Sequence, residues 1–351
     1  MDSHGTFTAT LIETSEKALA AGAITRLNDS GGAGDVEAYG FRQLAADAQM
    51  RLKALAEALA AGRPELMRME VEWLATTYAA RQVPLDFLRR SLACLRDELE
   101  DNLPAHSATT ASTYLDDAID GLPEDVPAMP SLLADGQPHV DLARRFLLAV
   151  LEGRRHDAHQ LLLDAMGQGA SVADLHRHVL TGTQAELGRM WQVGDATIAE
   201  EHLASRTVEE ALTLLRARSP RVEPNGRKVL VASVQGNMHD IGARMVADHF
   251  EMAGWQAFLL GADTPADAVV SAISHFKADL VALSAGLGLN IRATAALVAA
   301  IREASPAVPV LVGGRPFSRL PDLWQTVEAD GSAPDAEGAV TEGERLVAAR
   351  S

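Results

Sequence analysis

Apolar and polar positions alternate with two different periods along the chain, and the change falls near residue 220. Before it, apolar residues recur every three to four positions. Over 40–61 they are Leu44, Ala45, Met50, Leu52, Leu55 and Leu59; over 84–102 they are Phe87, Leu88, Leu92, Leu95 and Leu99. That spacing predicts helices with one buried face. A further helix is expected over 65–81, with Pro64 where its first turn begins. Apart from a Gly-rich break over 31–34, the region 10–103 reads as all-α.

Residues 104–138 carry Pro104, Pro123, Pro127, Pro130 and Pro138 with Ser and Thr between them. This composition predicts a linker, with one short helix over 113–119. Helical spacing returns over 140–152, 157–166, 171–191 and 198–217, with Gly153, Gly167 and Gly194 as stops. Ser171 with Asp174, and Thr197 with Glu200, have the spacing of capping boxes. Short connections between four helices predict an antiparallel bundle.

From residue 226 the pattern changes. Short apolar runs at 229–234, 256–261, 280–285 and 308–313 alternate with helical stretches at 241–253, 265–275 and 291–303. A fifth unit is expected to end near 331–337, before a last helix over 341–349. Strand and helix in alternation give a Rossmann-like, flavodoxin-like parallel sheet. The fold class is therefore α and α/β. Its expected parts are an all-helical sensory or interaction domain at 1–103, a linker at 104–138, a four-helix bundle at 139–219 and the parallel-sheet domain at 226–351.

Charge and cysteine content narrow the function. The 351 residues carry a net charge of −17, which repels phosphate backbones and speaks against direct nucleic-acid binding. No apolar run approaches the ~20 residues that span a bilayer. A signal-peptide pattern is absent from the start of the chain, so a soluble, cytoplasmic protein is expected. The single Cys94 excludes an internal disulfide and any cysteine metal cluster.

The chemistry centres on Gln235-Gly236-Asn237-Met238-His239-Asp240-Ile241-Gly242, which follows the first apolar strand. A histidine at the carboxyl end of such a strand faces the crevice where open α/β sheets bind ligands. Taken alone it also fits an ordinary loop histidine. The spacing Asn-x-His-x-x-Gly resembles the Asp-x-His-x-x-Gly signature of cobalamin-binding domains of the methionine synthase type. The resemblance implies that His239 is the lower axial ligand of cobalt, with Asn237, Met238, Asp240, Ile241 and Gly242 around it. Two more family positions fall at strand ends in the right order. Ser284-Ala285-Gly286-Leu287 stands where the family has Ser-x-Leu, and Gly313-Gly314 matches its Gly-Gly. In the family these line the channel of the displaced nucleotide tail. Asn237 departs from the family's Asp, and its amide oxygen is expected to accept the bond from the ligand histidine. Gly286 replaces the usual Leu.

In the bundle, Trp191 is followed after nine residues by Glu201-His202. This resembles the Trp-x9-Glu-His motif of cobalamin-dependent photoreceptors of the CarH, LitR and AerR type. There the bundle caps adenosylcobalamin, the Trp packs on the adenosyl group and the Glu-His pair contacts it. Separately, a core Trp and a helix-start Glu are ordinary features. Gln192 replaces the histidine that follows the Trp in the CarH type, which leaves His202, His176 and His178 as nearby donors. The resemblance covers 140–351 and includes no MerR-type DNA-binding domain. It implies a light-sensing regulatory protein in which adenosylcobalamin photolysis alters conformation or homo-oligomeric state and signals to a protein partner. Photocobilins pair such a domain with biliverdin, so the N-terminal helices are a candidate bilin site. No catalytic nucleophile–base set is legible. The alternative is a corrinoid methyl carrier of a methyltransferase system.

Overall fold

The computed structural model describes residues 2–32 and 40–350, so residues 33–34 of the expected Gly-rich break lie outside it. The chain forms two compact units, one of Met1–Val126, Lys228–Ala243 and Phe258–Ser351, the other of Pro127–Arg227 and Arg244–Ala257.

Among the described residues the first unit begins with six α-helices: α1 (Ser3–Thr14), α2 (Glu16–Leu27), α3 (Phe41–Ala61), α4 (Pro64–Ala80), α5 (Leu85–Asn102) and α6 (Ala105–Asp120). α1 starts earlier than the apolar spacing predicts because the Asp2 carboxylate accepts the His4 and Gly5 N–H groups. α6 corrects the expected linker and its short helix. Its Ser/Thr-rich composition reads as loop, yet Ala108, Ala111, Leu115 and Ala118 are spaced three to four apart and all buried. Small residues let this helix approach its neighbours closely, and that packing outweighs its modest intrinsic propensity.

The rest of this unit is a five-stranded parallel sheet in the order β2-β1-β3-β4-β5, from β1 (Lys228–Val234), β2 (Gln256–Thr264), β3 (Leu280–Ser284), β4 (Val310–Gly313) and β5 (Gly331–Ala333). β1, β3 and β4 are buried along nearly their whole length, as strands covered on both faces must be. The connecting helices are α12 (Ile241–Met252), whose residues from Arg244 on belong to the second unit, α13 (Ala266–Phe276) and α14 (Ile291–Ala304). The short α15 (Arg315–Arg319) and α16 (Leu323–Thr326) precede a final α17 (Ala336–Ala348). α17 starts five residues before the expected 341 because the Asp335 carboxylate caps it, accepting the Gly338 N–H at 2.7 Å. The N-terminal helices and the sheet share one apolar core, which runs from Leu52, Leu55 and Leu59 to Leu230, Leu283 and Val298.

The second unit is the expected bundle. It comprises α7 (Val140–Leu151), α8 (Arg155–Gly167), α9 (Val172–Asp174) continuing through a π-helical stretch (Leu175–Leu180) into α10 (Thr181–Val193), and α11 (Ile198–Arg218). Phe146, Leu162, Leu175, Val179, Leu187, Val208 and Leu212 fill its core. Both capping boxes form, at Ser171–Asp174 and Thr197–Glu200. Gly194, at φ +86°, ends α10 in the left-handed region that glycine adopts freely.

This unit also buries two imidazoles, His176 and His249, with ring centroids 5.6 Å apart. Neither nitrogen of His176 has a hydrogen-bond partner among the described residues. Burial, and then the neighbouring His249, push its pKa down to about 3. The unfolded chain takes up this proton near pH 6.5 and the native state does not. The stability it contributes is therefore complete above pH 6.5 and is lost as pH falls toward 3. Asp248, raised to about 6 mainly by burial, has the opposite sign. Its contribution is complete below the unfolded carboxylate value and is lost as pH rises through 6. Removing the histidine isolates the first effect. His176→Leu should gain about 2 kcal/mol relative to wild type between pH 7 and pH 5 in urea unfolding. An identical difference at both pH values would show that His176 is not held neutral.

Candidate functional site

The order β2-β1-β3-β4-β5 reverses direction between β1 and β3, so the loops after those two strands flank the crevice where such sheets bind ligands. The β1 loop is closely held. The Val234 carbonyl accepts the Asn237 N–H at 2.9 Å, and Gly236 takes φ +81°. Asp263, at the end of β2, staples the turn: its carboxylate accepts the Gly236 N–H at 2.7 Å, and its own N–H donates to the Asn237 carbonyl at 2.9 Å. Met238, 69% exposed, and the exposed His239 stand at the tip. The His239 ring makes no hydrogen bond to the described residues, so its nitrogens are open to a ligand.

Asn237 is buried and works differently from the sequence-based expectation. Its Oδ1 accepts the backbone N–H of His239 at 3.2 Å rather than a ring proton, and its Nδ2 donates to the Ser284 carbonyl at 3.1 Å. The amide therefore ties the histidine's backbone to the end of β3. A carboxylate could accept the first bond but could not make the second.

Ser284, Gly286, Gly313 and Gly314 gather at the same edge of the sheet. A Cβ on Gly286 would lie 2.9 Å from Asn237 Oδ1 and 3.3 Å from His239 Nδ1. The missing side chain makes room for those two groups. Leu287, the next residue, is 41% exposed. Gly314, at φ +110°, would place a Cβ 2.1 Å from the Ala285 carbonyl oxygen, so the fold itself demands glycine there. Gly242 is different. A Cβ there meets nothing within 4 Å. Asp240 is half-buried, as is Ile241, the first residue of α12.

In the second unit, Trp191 lies two residues before the end of α10 and is half-buried. The chain reverses over Gly194–Ala196, where the Met190 carbonyl accepts the Asp195 N–H at 2.7 Å and the Ala196 N–H at 3.1 Å. The Thr197 box then starts α11, which puts Glu201 and His202 in its first turns. Glu201 Oε2 lies 2.6 Å from His202 Nδ1, and Oε1 accepts the Ser205 hydroxyl at 2.7 Å. The carboxylate thus orients an imidazole that is itself exposed. Gln192 is buried, as is His176, while His178 is half-buried.

The sequence reading missed Asp263 and Asn290. Asn290 is buried, with Oδ1 accepting the Leu287 N–H at 3.0 Å. An Asp two residues beyond Gly261 was the one available signal for the first.

Comparison with known proteins identifies the two modules. A family model described as B12 binding domain matches residues 227–342, and a second model of the same description matches 142–216. A third, described as Phycobilisome protein, matches 8–122. A corrinoid protein of Desulfitobacterium hafniense is 25% identical over 202 residues, 55% of this chain and 91% of that one. The HTH-type transcriptional repressor CarA of Myxococcus xanthus is 37% identical over 124 residues, but the match spans only 40% of its length and 33% of this chain. CarH of the same organism is 26% identical over 205 residues, 58% of this chain and 68% of that one. The solved monomethylamine corrinoid protein of Methanosarcina barkeri shares the fold, with a TM-score of 0.53 at 19% identity, covering 60% of this chain and all of that one. Among the described residues no helix is long and apolar enough to cross a membrane. With cap-type helices over 142–216 and a Rossmann-like B12-binding sheet over 227–342, the chain is a cobalamin-binding protein.

Proposed function

We propose that the protein is a light-responsive regulator that binds adenosylcobalamin and signals by a change of conformation or self-association. The observation that carries this reading is the Glu201–His202 pair at the start of α11, in which a half-buried carboxylate orients an exposed imidazole and nine residues separate the pair from Trp191. Adenosylcobalamin, when bound, supplies a light-labile cobalt–carbon bond. The residues divide the remaining work. His239 offers an unengaged imidazole as the lower cobalt ligand, held by Asn237. Ser284, Gly286, Leu287, Gly313 and Gly314 line the tail side of the site. Trp191 offers an indole face for the adenine, and the Glu201 carboxylate and the Nε2 atom of His202 offer acceptors for the ribose hydroxyls, since Nδ1 of His202 faces Glu201.

Base stacking on an aromatic side chain is worth about 1–3 kcal/mol where it has been measured. Trp191→Ala should therefore weaken adenosylcobalamin binding roughly tenfold or more and leave hydroxocobalamin nearly unaffected. Green light should change the hydrodynamic size of the loaded wild type. Coincident dark and light elution profiles, with Trp191→Ala binding both cobalamins alike, would sink the photoreceptor reading.

The second reading is a corrinoid methyl carrier. It is favoured by the match that covers 91% of the Desulfitobacterium hafniense corrinoid protein, and it predicts no preference for the adenosyl form. The phycobilisome-type match over 8–122 supports a second chromophore, biliverdin, in the N-terminal helices. Such a bilin would be held without a thioether, because Cys94 is buried and burial raises its thiol pKa.

A further inference from the structure

Glu57 lies on α3 among the N-terminal helices and is buried. A carboxylate in such a place needs partners, and both oxygens find them on α14. Oε2 accepts the backbone N–H of Arg292 at 3.0 Å, and Oε1 accepts Arg292 Nε at 2.8 Å. Arg292 is the second residue of α14, so its N–H is one of those that a helix start leaves unsatisfied. The residue before the helix, Asn290, gives it no side-chain cap, since its Oδ1 is engaged by the Leu287 N–H. Glu57 supplies that cap from far away in sequence, and its charge sits at the positive end of the helix dipole. Glu13 of α1 holds the outer side of the same guanidinium.

What α14 carries on its amino-terminal side gives the contact its meaning. The helix emerges directly from the loop 285–290. Within that loop, Gly286 lies against Asn237 Oδ1 and His239 Nδ1, and Asn290 Nδ2 lies 3.7 Å from a Cβ placed on Gly236. Leu66 of α4 packs against Gly288 of the same loop, 3.9 Å from a Cβ placed there. The N-terminal helices therefore grip the segment on which the candidate cobalt ligand rests.

We propose that Glu57 is a positioning residue of the cobalamin site: by capping α14 it fixes the loop 285–290, and through Gly286 and Asn290 it sets the His239 loop. The proposal rests on His239 being the cobalt ligand. Glu57 touches neither the cofactor nor His239, and acts through Arg292.

The test uses the full-length protein with Glu57→Leu, which removes the cap, and Glu57→Gln, which keeps one acceptor and loses the charge. Amide exchange is measured without cobalamin, and the spectrum is measured with hydroxocobalamin. In Glu57→Leu the Arg292 amide and those of the loop should exchange at least about tenfold faster, as expected for loss of a charge-assisted bond, with α3 itself unchanged. The fraction of bound cobalamin showing protein-imidazole ligation should fall. Glu57→Gln should shift both readouts the same way by less, and it decides the matter if the Leu variant does not fold. Unchanged loop exchange overturns the proposal. So does a loosened loop with undiminished imidazole ligation. If the wild type shows no imidazole ligation at all, the His239 assignment has failed instead, and loop exchange alone then decides whether Glu57 fixes the loop.

Discussion

His239→Ala is expected to abolish the imidazole-ligated spectrum of bound cobalamin and leave a base-off form. The side chain stands exposed at the tip of a loop that is anchored on three sides: by Val234 within the turn, by Asp263 at the end of β2 and by Ser284 through Asn237. An anchored backbone beneath an unengaged ring favours a ligand role, because little ordering is left to do when the metal binds. Outer partners of metal ligands are worth about 10–100-fold in affinity, so loss of the ligand itself should cost at least as much. Free imidazole should restore the ligated spectrum at millimolar concentrations, since the substitution opens the space the ring occupied. The apo protein should unfold at nearly the wild-type urea concentration, because the ring is exposed and makes no hydrogen bond to the described residues. An unchanged spectrum with unchanged affinity would remove His239 from the site.

Two glycines of the same site should respond in opposite ways. Gly314→Ala places a methyl group 2.1 Å from the Ala285 carbonyl oxygen at a backbone angle of φ +110°. Neither partner is a flexible side-chain end. β4 is tied to β3 there by the Ala285 N–H to the Gly313 carbonyl at 3.0 Å, so relief requires separating two central strands. Overpacking costs roughly 1–3 kcal/mol, and the strained backbone angle adds a comparable amount. The apo protein should lose several kcal/mol of stability or fail to fold. Gly242→Ala meets open space and lies in the first turn of α12. Relative to glycine, alanine there should keep or raise stability by up to ~1 kcal/mol. If the corrin ring passes close over this turn, the same change should weaken cobalamin binding. Urea unfolding and cobalamin titration of both variants separate the cases. A Gly242→Ala protein that binds cobalamin as tightly as wild type would show that this glycine makes no room for the ring.

The sequence carried the local parts of this protein because they are encoded locally. Helical spacing at Leu44, Leu52, Leu55 and Leu59, the boxes at Ser171 and Thr197 and the apolar runs of β1, β3 and β4 each depend on residues within one or two turns of one another. The alternation of strand and helix fixed the sheet class, and it placed His239, Ser284, Gly286, Gly313 and Gly314 at strand ends on the same edge. Only 113–119 of α6 was legible as helix, because the alanines of its first half have no apolar signal strong enough to outweigh Ser and Thr. It becomes a helix by packing.

Tertiary structure decided the roles. Asn237 was legible as a residue beside the histidine. Only the approach of the Ser284 carbonyl shows that its amide is engaged on both sides, so that it fixes backbone rather than ring. Two glycines that look alike in sequence have different causes, since Gly314 is required by Ala285, while a Cβ on Gly242 meets none of the described residues within 4 Å. Glu57 lies within the helical stretch 40–61, whose spacing carries no sign of a distant partner. The start of α14, folded against it from the far end of the chain, makes it a cap. Periodicity and spacing report what neighbours along the chain do together. Desolvation, donor–acceptor matching and steric exclusion depend on which distant groups arrive, and those were set only when the N-terminal helices and the sheet closed around one core.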